Sequence, residues 1–301
     1  MKIIERNLQE LGKSLFVSLP KDWANTFKLK KGSKIKMVVG ERGFISIAPE
    51  FTNIEKQKET EMEFDRHFKR KFFREYFMGN EKITILFNKK IKETERKEIY
   101  SFLKRFMTVQ IIEENESKII LKSFKIEELS IEECMKRLYF ISLNMMEELI
   151  AGKNKVMLSE MRDNMTKFYY LLVMQIRRYL EEGKFTKENQ ISLIRAMDYR
   201  MISEKMQRIV EIIQNLEEIK DLEVASFLKE IKDYYAKSAL SFINSNYEKA
   251  PYLWEEGERI ERENKRLLNK IEKLKNNIMY KQVLDLFQIL RYAREISSLI
   301  R

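Results

Sequence analysis

The residues best equipped for chemistry in this chain are cations, and the chemistry they suit is recognition of a polyanion. Arg6, Lys13, Lys21, Lys30, Lys31 and Arg42 fall in one N-terminal stretch, with Lys2, Lys28, Lys34 and Lys36 among them. The acids there are fewer: Glu5, Glu10, Asp22, Glu41 and Glu50. Such an excess on a compact surface binds nucleic acid by displacing its condensed counterions. Lysines mainly position phosphates, whereas a guanidinium can also read a guanine edge. Arg6, beside the first strand, Lys13, beside a glycine turn, and Lys21, opening a helix, are the leading candidates. Lys30, Lys31 and Arg42 are expected on turns farther out.

Catalysis has little to work with. His67 and Cys134 are each the one residue of their type. That excludes a Cys/His zinc site, a disulfide framework within the chain and any histidine pair. His67 lies among Arg66, Lys69, Arg70 and Lys71, and reads as a surface residue. No glycine-rich phosphate loop occurs. The expectation is a protein that is not an enzyme and holds no cofactor and no metal.

The 301 residues carry 58 Lys and Arg against 47 Asp and Glu, a formal charge of +11. That length suits two or three domains. Three prolines and eight glycines favour long uninterrupted helices. The longest apolar run, near Phe168–Met174, is far short of the roughly twenty residues that span a bilayer. With no secretory pattern at the N-terminus, a cytoplasmic chain without membrane insertion is expected.

The cations are carried on recognisable elements. Ile3, Ile4 and Leu8, then Leu15, Phe16 and Val17, are apolar patches of strand length around Gly12. Pro20 suits the first turn of a helix, and Trp23, Ala24 and Phe27 give that helix one apolar face. Ile35, Met37 and Val39 alternate in the next strand. A Gly40–Gly43 turn then leads into Phe44, Ile45 and Ile47. So small a unit buries little apolar surface alone, and dimerisation is the expected remedy.

The order of strand, SLPKDW, LKKG and hairpin resembles the AbrB/MazE/SpoVT family of swapped-hairpin DNA-binding domains. The resemblance implies that two chains interleave to form one small β-barrel with a basic face on DNA. Residues 1–50 are assigned to such a domain, one half of the barrel.

Residues 51–127 are read as a small α/β connecting domain. It opens with a polar connector and continues with a helix at 63–78, a strand at 83–87, a helix at 93–107 and strands at 109–112 and 118–122. Phe64, Phe68, Phe72, Phe73 and Phe77, set among cations, have the look of a platform for single-stranded nucleic acid. Their helical spacing favours a core-facing stripe instead.

Residues 128–301 read as helices near 130–151, 158–182, 188–218, 221–246, 250–275 and 277–300, a six-helix bundle. Met165, Leu172 and Ile176 align with Ile260, Leu267 and Ile271, and the run from Arg200 to Glu204 with that from Arg291 to Glu295, as if three helices occur twice. Most of the sixteen methionines fall on apolar spacings that suit core packing; a Met-rich surface for a partner helix is the other reading.

RDNMTKFYYLLVMQIRRYL at 162–180 resembles the second helix of the PhoU family of phosphate-signalling proteins, tandem three-helix bundles. An AbrB-like head, a short α/β segment and a PhoU-like tail together are similar to archaeal-type phosphate uptake regulators. The resemblance implies acidic motifs that gather metal ions. Here those positions read Asn164, Thr166, Ser203 and Arg294, leaving Asp163, Glu204, Glu261 and Glu295 scattered. A tail that has lost its metals and works through protein contacts is expected.

The whole is thus expected to be a multi-domain α+β chain that binds double-stranded DNA as a homodimer through its head. It would regulate transcription, with phosphate uptake or phosphate-responsive genes as the implied targets. A protein partner from the phosphate transport or signalling system is implied by the same resemblance. The competing class is a PhoU-like adaptor that controls a transporter or kinase by contact and uses its head only to dimerise. A third is an antidote-like head whose tail grips a toxin.

Overall fold

The computed structural model describes residues 4–39, 45–49, 59–126, 128–152, 155–181 and 191–300. The described residues divide into two units, one within 1–57 and one spanning 59 to 300. The architecture is α+β, with strands leading into a long helical region.

The first unit is two separate antiparallel ribbons with a short helix between them. Strands β1 (Gln9–Leu11) and β2 (Ser14–Phe16) pair around Gly12 and Lys13, and Gly12 takes a φ of 66° that a side chain would resist. Helix α1 (Lys21–Thr26) follows Pro20, which caps the helix from outside its first turn. Strands β3 (Ile35–Val39) and β4 (Ile45–Pro49) form the second ribbon. The expected buried face of α1 is not buried in the single chain. Trp23 and Ala24 are half-buried and Phe27 is exposed, because neither ribbon supplies a core for them.

The second unit opens with a four-stranded sheet in the order β5-β6-β8-β7. Here β5 (Glu59–Glu63) runs parallel to β6 (Lys82–Leu86), with α2 (Phe68–Phe77) as the crossover. Helix α3 (Glu93–Leu103) precedes the hairpin of β7 (Val109–Glu114) and β8 (Lys118–Ser123). The Asn115 carboxamide oxygen accepts from the backbone N–H of both Ser117 and Lys118 and so forms the turn. Residues 59–63 are therefore a strand, not part of a connector. As an edge strand, β5 buries only Met62 and gives little apolar signal. The helix expected from 63 starts at Phe68, because Asp65 first accepts the His67 N–H in a turn.

The phenylalanine stripe faces inward. Phe68 and Phe72 are buried with Tyr76, Ile83, Ile85, Phe102, Phe106 and Leu121, while Phe64, Phe73 and Phe77 flank them half-buried. Phe72 meets Phe102 and Phe106 edge-on, with centroids 5.4 and 4.9 Å away. Those edge-to-face contacts make Phe68 and Phe72 part of the core.

Six α-helices follow among the described residues: α4 (Ile131–Ile150), α5 (Lys155–Glu181), α6 (Leu193–Asn215), α7 (Leu222–Ile243), α8 (Ala250–Lys273) and α9 (Asn277–Ser297). Their starts are chemically marked. Ser130 and Glu133 form a reciprocal capping box, and Ser192, Asp221 and Asn276 each accept a first-turn N–H. Helix α5 lies between two cores. Its Met165, Leu172 and Ile176 belong to the bundle, and its Met174 belongs to the α/β core, with Tyr170 packed against Phe73 and Phe106.

Buried positions recur along the bundle. Ile131, Cys134, Leu138, Ser142, Met145 and Leu149 of α4 match Val224, Phe227, Ile231, Tyr235, Ser238 and Phe242 of α7. Leu158, Met165, Leu172 and Ile176 match Leu253, Ile260, Leu267 and Ile271. In α6 and α9 the match runs from Ala196, Tyr199, Ile202, Met206 and Ile209 to Val283, Leu286, Ile289, Ala293 and Ile296. This register places Gln207, not Ser203, opposite Arg294, so the alignment of Arg200 with Arg291 is one helical turn out. The Arg-x-x-x-Glu similarity that produced it lies on solvated faces, whereas packing follows the apolar positions.

Gly257 admits no larger residue. A Cβ there would lie 2.5 Å from the Tyr234 hydroxyl and 2.8 Å from Arg294 Cγ. Gly257→Ala is expected to lower stability by about 1–3 kcal/mol through overpacking, read as a lower urea midpoint. Burial pushes the Cys134 thiol up from its ordinary value of 9.0 to about 12, and raises the Tyr235 phenol as well. A raised folded-state value stabilises fully below the unfolded value and is lost as pH rises through the folded one. The bundle is therefore expected to lose stability as pH rises from about 9 towards 12, read as a falling urea midpoint, with Cys134 unreactive to thiol reagents while the bundle is folded.

Candidate nucleic-acid interface

The interface is built on the first unit, whose second ribbon is two-faced. The pairs Ile35 with Pro49, Met37 with Ile47 and Val39 with Ile45 put six apolar residues on one face, while Lys36 lies on the other. Ile35, Met37, Val39 and Ile45 are exposed, Val39 at 73%. On the first ribbon Leu11 and Phe16 share one face and Leu15 lies on the other; all three are exposed, with Leu8 and Val17 beside them. Among the side chains described in this unit only Pro49 is buried. Fully burying one such side chain is worth about 1.5–3 kcal/mol, so the arrangement lacks the surface that would complete it.

The expected cations sit around these apolar faces. Arg6 lies just before β1, exposed, with its guanidinium donating to the Glu5 carbonyl at 3.2 Å. Lys13 is the second residue of the β1–β2 turn. Lys21 is the first residue of α1 and is exposed. Lys30 and Lys31 occupy the turn into β3. There the Lys30 N–H donates to Ser33 Oγ and the Ser33 N–H to the Lys30 carbonyl, both at 2.9 Å. This brace, with Gly32 at φ 86°, fixes the turn while leaving both ammonium groups in solvent. Arg42 lies outside the described residues. Among the described residues none of the other five has an acidic partner within ion-pair distance, which leaves their charge available to a ligand.

In α1 itself, Asp22 stands in the first turn, where a carboxylate is favoured by the peptide dipoles. Thr26 Oγ1 donates back to the Asp22 carbonyl at 2.8 Å, and Trp23 and Phe27 lie 5.3 Å apart. The Ser33 brace was missed in the sequence, although a Lys-Gly-Ser run after a helix is its signal.

The acids considered for a metal are engaged elsewhere. Asp163 holds Arg162 at 2.6 Å, Glu204 meets Arg200 at 3.4 Å and Glu295 meets Lys205 at 2.5 Å. Glu261 binds Arg294, which also reaches Glu258 at 3.7 Å. At the matching place of α5 and α6, Gln207 donates to Thr166 at 3.4 Å. Among the described residues no three His, Cys, Asp or Glu side chains are grouped to hold an ion. His67 is exposed and accepts from the Arg66 guanidinium at 3.0 Å. Among the described residues no helix is long and apolar enough to cross a membrane.

No curated protein and no solved structure matches the chain. Residues 8–53 match the family model described as antidote-toxin recognition MazE, bacterial antitoxin, so the stretch carrying the ribbons, the helix, Lys13, Lys21, Lys30 and Lys31 is similar to a MazE domain, with Arg6 just before it.

Proposed function

We propose that the chain is a sequence-specific DNA-binding transcriptional regulator that acts by binding, not catalysis. Its MazE-like head pairs with that of a second copy to close a swapped-hairpin β-barrel. The observation that carries this reading is the apolar face of β3 and β4, left exposed in one chain within the matched 8–53 stretch and flanked by exposed cations. Covering that face with its own copy sets two basic surfaces about a two-fold axis, which suits a near-palindromic site. Arg6, Lys13 and Lys21 are assigned to DNA, with Lys30, Lys31 and Arg42 outside them.

The helical part is read as a PhoU-like pair of three-helix repeats that senses or relays phosphate status. The recurring buried register supports the repeat; phosphate rests on the PhoU resemblance. Arg294 between Glu258 and Glu261 favours a tail that works through contacts with protein, since a guanidinium already answers those carboxylates. A second reading, an antidote whose tail grips a toxin, is favoured by the description of the matching family.

Met37→Glu, which sets a charge in the apolar face, is expected to weaken self-association at least tenfold in sedimentation equilibrium. Arg6→Ala with Lys13→Ala is expected to weaken DNA binding and to flatten its dependence on salt, by roughly 0.9 in log–log slope for each phosphate no longer neutralised. Capture of DNA bound to the tagged chain at high and low phosphate tests the whole reading. Discrete sites sharing a palindrome and abolished by Arg6→Ala are expected; no enrichment from a well-expressed chain moves the function to its protein partners.

A further inference from the structure

Within the second unit, a groove of about 530 Å³ opens where α2 meets α5 and α6. Its floor is aromatic and aliphatic: Phe73, Phe77, Tyr170, Val173, Ile176 and Leu180. One wall is the exposed edge of α6. Met197 and Met201 are 54% and 46% exposed and lie one turn apart, and Leu193, 46% exposed, continues their row one turn earlier. The row spans about 12 Å along the helix, two turns, so the apolar surface is elongated.

The rim is positive. Arg177 and Arg200 line the groove, and Arg200 lies over the Tyr169 ring at 5.4 Å. Arg105 is close enough for its charge to act on the Tyr170 hydroxyl. Two acids of α6 stand near it, both already paired: Glu204 meets Arg200 at 3.4 Å, and Glu211, whose charge also acts on the Tyr170 hydroxyl, meets Arg208 at 3.1 Å. Thioethers adapt to differing shapes, and an elongated apolar groove edged by methionines is a surface that accepts a helix.

We propose that this groove is a docking site for an amphipathic helix of a partner protein, with apolar anchors at helical spacing and acidic residues flanking them. Charge selects this occupant. A second copy bringing the same face would set one net-positive rim against another, which is unfavourable. The chain's own segment 182–190 carries two Glu and two Lys and so offers no net complement to the rim. Single-stranded nucleic acid matches the charge but not the aliphatic Val173, Ile176, Leu180 and methionines. The inference is independent of DNA binding by the head.

The test is selection from a displayed library of helical peptides, with Leu or Phe fixed at i, i+4 and i+7 and all other positions random. The full chain is the target and the Met197→Asp/Met201→Asp chain the counter-target. Both methionines are exposed, so the variant is expected to keep the wild-type circular dichroism. Enrichment of Asp and Glu beside the anchors is expected. The selected peptides should bind at least tenfold less tightly to the variant, and the Arg177→Glu/Arg200→Glu chain should prefer their Lys-substituted versions. No enrichment, enrichment of basic or neutral peptides, or equal binding to the methionine variant overturns the proposal. So does an oligothymidylate that displaces the peptides, self-association abolished by Met201→Asp, or binding that appears only when 182–190 is replaced by a Gly-Ser linker. These outcomes assign the groove to nucleic acid, a second copy or the chain itself.

Discussion

A two-stranded ribbon with one apolar face has nothing to hold it in water unless a second surface covers that face. This constraint governs the N-terminal part of the molecule. Ile35, Met37, Val39 and Ile45 are aligned by the register of β3 and β4, and Leu11, Leu15 and Phe16 are exposed on the other ribbon. If a second copy supplies that cover, as proposed above, the stability of this element depends on protein concentration. The same small scale leaves the lysines of the turns fully hydrated and ready for an anionic ligand.

The second unit meets the opposite condition. Its helices bury long apolar rows, and two polar pairs are matched within them: Ser142 with Tyr235 at 2.5 Å, and Tyr234 with Ser297 at 3.2 Å. The recurring burial pattern is not accompanied by recurring charge. One junction joins Thr166 to Gln207 through neutral groups, and its counterpart joins Glu261 to Arg294 through an ion pair. The apolar rows follow one plan while the polar contacts across them differ.

Much of this was legible in the residues. Ser130, Asp221, Asn276 and the apolar rows fix the helices, so the expected and observed spans differ by a few residues at their ends. The strand at Glu59–Glu63 was hidden because a single buried side chain, Met62, cannot produce an alternation. The placement of Lys13, Lys21, Lys30 and Lys31 followed from glycine and proline, whose backbone preferences are local. The exposure of the head's apolar face was expected from the unit's small size, not from the period of its strands. A strand that packs within its own chain and one that packs on another have the same period. The groove beside Met197 was silent, since it is made by helices far apart in the chain.

Helix α5 is held on two sides by different partners. Toward the bundle it presents Met165, Leu172 and Ile176; toward the sheet layer it presents Met174 and Tyr170, the latter stacked on Phe106 at 5.1 Å. A rod gripped on both sides cannot rotate or slide by a fraction of a turn without unseating rings on one side or leucines on the other. Close-packed interiors do not deform continuously, so such a rod has only discrete seats. A shift of α5 therefore disturbs both cores at once, on the sheet side through Tyr170.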